Sequence, residues 1–149
     1  MKKKIILQLL FVIALSIGLF SCIGKKADKP EKVLSSFEKM YPNSTNVNWE
    51  NQNDSLWKVS FDFDGNKISS EYSNSGDWMQ SKYSVPSVQF PQSVIDRIDG
   101  FYYDYTFIRS ELVETPGSKV YEIDIAVNNM GIALIISEEG ALLQAKKKE

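Results

Sequence analysis

The chain has 149 residues, with 17 basic and 19 acidic side chains, one cysteine and no histidine. The lack of histidine excludes a Ser-His-Asp triad, an imidazole base and a histidine-ligated metal. The single cysteine excludes an internal disulfide and a cysteine-held metal cluster, so we expect no cofactor and no bound metal.

The N-terminus has the composition of a secretory signal. Three lysines precede Ile5–Phe20, an apolar run of about sixteen residues, which is short of the roughly twenty that a spanning helix needs. The run ends in LFSC, Leu19–Cys22, which resembles a bacterial lipobox. We expect residues 1–21 to be a lipoprotein signal peptide and Cys22 to be the lipid attachment site. An ordinary signal peptide next to an unrelated cysteine, or a membrane helix, is the alternative.

Residues 22–29 are predicted to form a short tether. It has no acidic run behind the lipid, which favours the periplasmic face of the outer membrane. Without the signal the chain keeps 14 basic and 19 acidic residues, a net charge of −5. Together with the absence of a basic block, this charge argues against a nucleic-acid partner.

Two segments have apolar residues at helical spacing, and each begins at a proline, a residue suited to the first turn. The first helix is predicted from Pro30 to the YPN stop at residues 41–43, and the second begins at Pro91. Their apolar residues are Val33, Leu34, Phe37 and Met40 in the first, and Val94, Ile95, Ile98 and Phe101 in the second.

Alternating segments after each helix predict antiparallel hairpins. Asp64-Gly65 and Asn128-Asn129 both suit a two-residue turn whose residues tolerate positive φ. The first turn places Trp57, Val59 and Phe61 opposite Tyr72, Ser70 and Ile68. It also places Lys58 opposite Glu71 and Asp62 opposite Lys67. The second turn places Ile125 opposite Ile132 and Ile123 opposite Leu134.

A second type of hairpin ends in Gly76 in one segment and in Gly140 in the other. A shift of sixty-four positions aligns 57–80 with 121–144 without a gap. We therefore predict an α+β fold: a tandem repeat of one helix plus about four antiparallel strands, forming one continuous sheet with both helices on one face. The single domain spans residues 30–146, with repeats at about 30–84 and 91–146.

Several segments carry a family resemblance. YPNSTNVNWE, FDFDGNKISSEYSNSGDW and VPSVQFPQSVIDRI, followed by YEIDI, resemble the PepSY-like lipoproteins of Bacteroidetes, which are similar in fold to β-lactamase-inhibitor protein. The resemblance runs from about Pro30 to Gln144. It implies a tandem-repeat envelope domain with no established activity and no catalytic residue. The second half departs from the first in lacking its tryptophans, Trp49, Trp57 and Trp78.

Two groups of residues are candidates for partner binding. Tyr102, Tyr103 and Tyr105 lie in the segment FYYDYTF, where we expect Phe101 and Phe107 to fill the core and some tyrosines to face a partner. Core packing of the tyrosines is the alternative. The outer strand face of the second half carries Ala126, Gly131, Ala133, Ile135 and Leu143, and an exposed apolar patch there would mark a docking site. The tether, the C-terminal tail or a second copy could instead cover it.

Acidic residues offer the remaining chemistry. Glu122 and Asp124 share a strand face about 7 Å apart, within the range of glycosidase acids, but we expect them, like the final KKKE, to be solvated. DFDGN lacks the spacing of a calcium loop.

The sequence thus predicts a lipid-anchored, non-enzymatic binding or inhibitor-type module of the envelope with a protein or peptide partner. A small-ligand or lipid-binding periplasmic protein, and a carboxylate hydrolase, are the alternatives.

Overall fold

A computed structural model describes residues 28–53 and 55–148. Within these residues the fold is α+β, with two α-helices and one eight-stranded antiparallel sheet in which the strands follow sequence order. The signal peptide, most of the tether and Cys22 lie outside the described residues. The elements are α1 (Glu31–Met40), β1 (Thr45–Asn53), β2 (Leu56–Phe63), β3 (Asn66–Ser73), β4 (Trp78–Ser84), α2 (Gln92–Asp99), β5 (Tyr105–Thr115), β6 (Ser118–Val127), β7 (Met130–Ser137) and β8 (Leu142–Lys147).

Both helices begin directly after a proline and bury one narrow stripe, as the sequence predicts. Val33 and Phe37 are buried in α1, and Val94 and Ile98 in α2. Met40 completes the predicted stripe of α1 but is 39% exposed, because it lies in the last turn at the helix end.

The predicted turns and registers of the first hairpin are confirmed. Asp64 and Gly65 have φ of 49° and 77°. The backbone pairs Phe61 with Ile68, Val59 with Ser70 and Trp57 with Tyr72. Lys58 lies opposite Glu71 and Asp62 opposite Lys67, as expected.

The corresponding hairpin of β6 and β7 has the same geometry. Asn128 and Asn129 have φ of 49° and 64°, which asparagine tolerates better than other non-glycine residues. The ladder pairs Ile125 with Ile132, Ile123 with Leu134 and Tyr121 with Ile136, so this predicted register is also confirmed.

Gly76 and Gly140 are required by two constraints at once. Their φ values of 91° and 84° lie in the left-handed region, as predicted. In addition, a Cβ at Gly76 would lie 2.7 Å from the carbonyl oxygen of Lys32, and one at Gly140 would lie 2.5 Å from that of Ser93. Each glycine therefore lets a hairpin turn lie against the first turn of a helix.

The two helices pack into separate clusters. The first cluster joins the buried residues of α1 to β2 and β3, and the second joins those of α2 to β6 and β7. Tyr83 on β4 packs against both clusters. Its backbone lies opposite Ile68 on one side and Leu112 on the other, so β4 and β5 connect the two cores within one sheet.

Candidate binding surfaces

The tyrosine segment begins where α2 ends. The amides of Phe101 and Tyr102 donate to the carbonyl of Ile98 at 3.0 and 2.9 Å, closing the last helical turn. Asp104, with φ of 51°, then turns the chain into β5. The segment is therefore a short surface connection held at both ends by regular structure.

The three tyrosines of this segment have different environments. Tyr102 and Tyr105 are half-buried against the second cluster, whereas Tyr103 is 80% exposed. The Tyr105 hydroxyl donates to Asp99 at 2.8 Å. Burial, followed by this contact with a carboxylate, raises the pKa of Tyr105 to about 12. Tyr103 is thus the most exposed of the three tyrosines.

Two phenylalanines of the segment are not core residues, contrary to the prediction. Phe101 is 57% exposed because α2 ends at Asp99, which leaves this side chain beyond the helical stripe. The Arg97 guanidinium lies 5.8 Å from the centre of its ring. Phe107 is 36% exposed, with its ring 5.6 Å from that of Phe90. The loop therefore presents more aromatic surface than the sequence suggested.

Ile135 lies on the other side of the sheet from the tyrosines. It is half-buried in β7, opposite Glu122 and Gln144. Its neighbours Leu134 and Ile136 face the second cluster, against which Tyr105 also packs. Because successive side chains in a strand point to opposite faces, the sequence-predicted residues form two surfaces and not one.

The surface around Ile135 is built on a buried carboxylate. Asp124 is 5% exposed and accepts hydrogen bonds from Arg109 at 3.2 Å and Lys148 at 2.5 Å. Burial alone would raise the pKa of Asp124, but the hydrogen bonds and charges of these two cations outweigh it and lower the pKa. The expectation that Asp124 is a solvated surface acid is wrong.

A second set of ion pairs lies beside the first. Glu111 and Glu122 are directly opposite each other on β5 and β6, an arrangement that repels when uncompensated. Lys82 contacts Glu122 at 2.7 Å and Glu111 at 3.9 Å, and Arg109 contacts Glu111 at 2.7 Å. Both acids of the proposed Glu122–Asp124 pair are therefore held by cations. The lowered pKa of Asp124 leaves it without the proton that a general acid must donate near neutral pH.

The C-terminal tail lies against this surface. The Lys148 amide donates to the carbonyl of Gly131 at 2.8 Å, and a Cβ at Gly131 would lie 3.2 Å from the Lys148 Cβ. The prediction of a fully solvated tail is wrong for Lys148. Of the predicted apolar face, Gly131 is thus partly covered by the protein itself, as one of the alternatives held.

Two clefts flank Trp49 on β1. One of about 450 Å³ is lined by Leu34, Phe37, Glu38, Tyr41, Pro42, Asn43, Ser44, Val47 and Trp49. Another of about 290 Å³ includes Lys29, whose ammonium group lies 5.7 Å from the centre of the Trp49 ring. Within residues 28–53 and 55–148, no group of three acidic, cysteine or histidine side chains is placed to hold a metal. No helix in that part of the chain is long and apolar enough to cross a bilayer.

Comparisons with solved structures show where this fold recurs. A BLIP-like protein from Bacteroides fragilis has a TM-score of 0.71 and 20% identity, covering 83% of this chain and 89% of its own. A DUF2874 family protein from Bacteroides ovatus has a TM-score of 0.69 and 24% identity, covering 81% and 89%. A protein described as a "putative periplasmic" protein from Bacteroides eggerthii has a TM-score of 0.70 and 17% identity, covering 81% and 90%.

No curated protein matches the sequence. A family model described as "Putative beta-lactamase-inhibitor-like, PepSY-like" matches residues 57–144, which include β2 to β7 and the start of β8. The resemblance inferred from the turn and core residues is therefore confirmed, and the chain belongs to the PepSY-like family.

Proposed function

We propose that the chain is a lipid-anchored binding or inhibitor-type module of the cell envelope, with a protein or peptide partner and no catalytic activity of its own. The observation that carries the proposal is the exposed aromatic surface after α2, where Tyr103 is 80% and Phe101 57% exposed. Aromatic side chains are enriched at protein interfaces and leave water favourably on binding. The family description, which refers to an inhibitor, supports the same class.

The proposed cellular location follows from the N-terminal sequence. Residues 1–21 would be removed, Cys22 would carry lipid, and residues 22–29 would link it to the domain at 30–146. Acyl chains contribute about 0.8 kcal/mol for each buried methylene, so two or three chains anchor stably. The likeness to a periplasmic protein supports an envelope location, and we assign the chain to the periplasmic face of the outer membrane.

We further propose that the domain is a duplicated half, with repeats at about 30–84 and 91–146 and both helices on one face. Two observations support this. The β2–β3 and β6–β7 ladders pair residues that differ by sixty-four positions throughout. Ile68, Tyr83 and Leu112 are backbone partners in succession across the junction and therefore share a face.

Within this module we assign Tyr103 as the main contact, with Tyr102 and Tyr105 positioning its loop from the core side. Ile135 would belong to a second, smaller surface on the other strand face. Its half-buried environment among ion pairs makes it the weaker candidate. The two surfaces can be tested separately because they face opposite directions.

The test is capture from envelope extracts by the mature chain immobilised through a C-terminal tag. We expect Tyr103→Ala to remove the specific partner, and Ile135→Asp to have a smaller effect. Met79→Ala, on a side chain that is 47% exposed on β4, is the matched surface control. An identical set of captured proteins for wild type and Tyr103→Ala would contradict the assignment.

The lipid anchor has its own test. Replacing Cys22 by alanine should abolish acylation and release the protein from membranes into the soluble fraction. Metabolic labelling with a fatty acid and fractionation measure the two effects. A Cys22→Ala protein that stays with the membrane would show that the apolar run, or the domain itself, holds it there.

A small-ligand function is a second candidate because of the cleft of about 450 Å³ beside Trp49. Its walls include Phe37, Tyr41 and Trp49, which suit an apolar ligand. Titration of fatty acids while tryptophan fluorescence is followed tests this function. A saturable change in wild type that is lost in Leu34→Asp, on another wall of the cleft, would favour it over the binding module.

A further inference from the structure

The sheet leaves three stretches of four or more strand residues paired on one side only, as far as the structure describes the chain. Two are the outer edges of β1 and β8. The third is internal: β4 pairs with β5 only from Ser84–Glu111 to Ser81–Glu114. Beyond that point Tyr105–Arg109, here called the β5 edge, pairs with β6 alone. Two hydrogen bonds close the junction: the Val85 amide donates to the Ser110 carbonyl at 3.2 Å, and the Ser110 hydroxyl donates to the Val85 carbonyl at 2.6 Å.

The three edges carry different side chains. An exposed edge invites pairing with another chain, and proteins commonly guard it with charges, bulges or short strands. β1 is rich in asparagine and has Asn46 at a φ of 54°, whereas β8 ends in Lys146 and Lys147. The β5 edge is also short and has a register irregularity at Ile108, but it carries no charged residue before Arg109 and presents Ile108, which is 61% exposed, and Phe107, which is 36% exposed.

We propose that the β5 edge binds an extended segment of a partner protein by strand addition; this deepens the proposed binding function and rests on it. The free amides and carbonyls of an edge are satisfied by an extended backbone, and flanking side chains give specificity. The exposed side chain of Ile108 would contact the apolar residues on one face of the added strand, which lie at alternate positions. Tyr103, five residues before Ile108, lies on the chain entering the same edge.

Charges near the edge define the segment further. Asp99 and Asp104 are exposed at its start. At its other end the charge of Arg109 is already compensated by Asp124 and Glu111. The edge therefore has a net negative start and a neutral end. The segment it fits is apolar at alternate positions and carries lysine or arginine at the end beside Asp104.

A lysine placed on the edge should prevent strand addition, because a charged side chain on an edge strand disfavours pairing with another chain. Ile108 lies in the register irregularity between Phe107 and Arg109, and Val47 lies in the matching irregularity between Thr45 and Asn48 of β1. Val47 is 40% exposed. Ile108→Lys is therefore the test variant, and Val47→Lys is a control with the same chemistry on another edge.

The probe is the acetylated, amidated peptide Lys-Thr-Val-Thr-Ile-Thr-Val-Lys, labelled with fluorescein. The first control peptide has the same side chains but N-methylated alternate amides, and the second has glutamates in place of both lysines. The protein is the acylated mature chain in nanodiscs. Fluorescence anisotropy measures the Kd, and hydrogen exchange with mass spectrometry locates the protected amides.

We expect the probe peptide to protect the amides of residues 105–109 from hydrogen exchange. Both control peptides should bind about tenfold more weakly than the probe or not at all. Ile108→Lys should weaken binding about tenfold, and Val47→Lys should leave it unchanged. Absence of binding below about 1 mM, protection elsewhere, or equal effects of the two lysine variants would each overturn the proposal.

The same variants separate this proposal from the function on which it rests. If Tyr103→Ala abolishes capture of the envelope partner but Ile108→Lys does not, the binding function stands and strand addition is wrong. If Ile108→Lys also abolishes capture and Val47→Lys does not, strand addition is supported in the natural complex.

Discussion

The first half of the domain (residues 28–84) and the second half (residues 85–148) fill their cores with different chemistry. In the first, the Phe37 ring lies 4.9 to 6.4 Å from the rings of Phe61, Trp49, Tyr41 and Tyr72. In the second, Val94 and Ile98 of α2 pack mainly on isoleucine and leucine. The turn geometry and the strand register are alike in the two halves. The same backbone geometry therefore accommodates either an aromatic or an aliphatic core.

The opposite strand faces differ as well. In the second half, Asp124 holds Arg109 and Lys148. The corresponding place in the first half is Ser60, which lies opposite Asn48 and Ser69. The second half thus has its ion pairs on the outer strand face. The other half has buried hydroxyls inside its core, where Ser70 and Ser81 are fully buried.

The largest effects should come from truncating the centre of each core. We expect Phe37→Ala to lower the free energy of unfolding by about 3–5 kcal/mol and Ile98→Ala by about 2–4 kcal/mol, since both leave cavities under a helix. Denaturant unfolding measures both. A smaller loss for Phe37→Ala than for Ile98→Ala would break the comparison, because it would mean that the aromatic half can collapse around the missing ring.

The two helix-contacting glycines should be nearly as sensitive, and equally so in both halves. Alanine at Gly76 or Gly140 meets a positive φ and a backbone carbonyl within 2.7 Å, so we expect a loss of about 2–4 kcal/mol. Gly65 is the control: its φ is 77°, but nothing lies within 4 Å of an added Cβ. Gly65→Ala should cost about 1 kcal/mol. Equal losses at all three positions would show that φ alone accounts for the effect.

The fold was accessible from the sequence because its determinants are local. Asp64-Gly65 and Asn128-Asn129 each specify a two-residue turn, and strand alternation then determines which residues pair. No such local signal marks the ion pairs of Asp124, whose partners lie 15 and 24 positions away. Phe101 was misplaced because the end of a helix is less well determined by periodicity than its centre.

The β5 edge was missed for a related reason. The sequence predicts about four strands after each helix but does not reveal that β4 ends beside the middle of β5. An edge inside a sheet depends on the relative lengths of two strands and on the path of residues 85–90 between them. Ile108 lies in the bulge between Phe107 and Arg109, and no local pattern in the sequence marks that bulge.

Asp124 tests the difference between the outer faces through pH. Its pKa is lowered in the folded protein, so its ionised form stabilises the fold above the unfolded pKa of about 3.9 and this contribution is lost as the pH falls through the folded value. We expect Asp124→Asn to cost about 1–3 kcal/mol at pH 7, because Arg109 and Lys148 lose their shared partner. The difference in unfolding free energy between the variant and wild type should be constant down to about pH 5 and should narrow as the pH falls below about 4 toward the folded pKa.

Ser60→Ala is the matched control on the first half, with an expected change within about 0.5 kcal/mol and no dependence on pH. Urea unfolding at several pH values measures all three proteins. A difference in unfolding free energy between Asp124→Asn and wild type that stays as large at about pH 2 as at about pH 7 would mean that packing around Asp124, and not its charge, accounts for the difference between the faces.

The smallest effect should come from the buried hydroxyl network of the first half. Ser81 Oγ lies 2.6 Å from Tyr41 Oη and from Ser70 Oγ, and it accepts from the Trp78 indole at 2.8 Å. Ser81→Ala leaves these partners with one fewer bond, and we expect a loss of about 1–2 kcal/mol in the free energy of unfolding.

In the second half, Leu134 and Ala145 stand opposite each other where the first half has Ser70 and Ser81. Ala145→Ser therefore adds a hydroxyl to a half that has no such network, on an exposed residue, and should change stability by less than about 0.5 kcal/mol. A similar loss for both variants would show that the two cores respond alike to a hydroxyl, which would remove the chemical distinction between them.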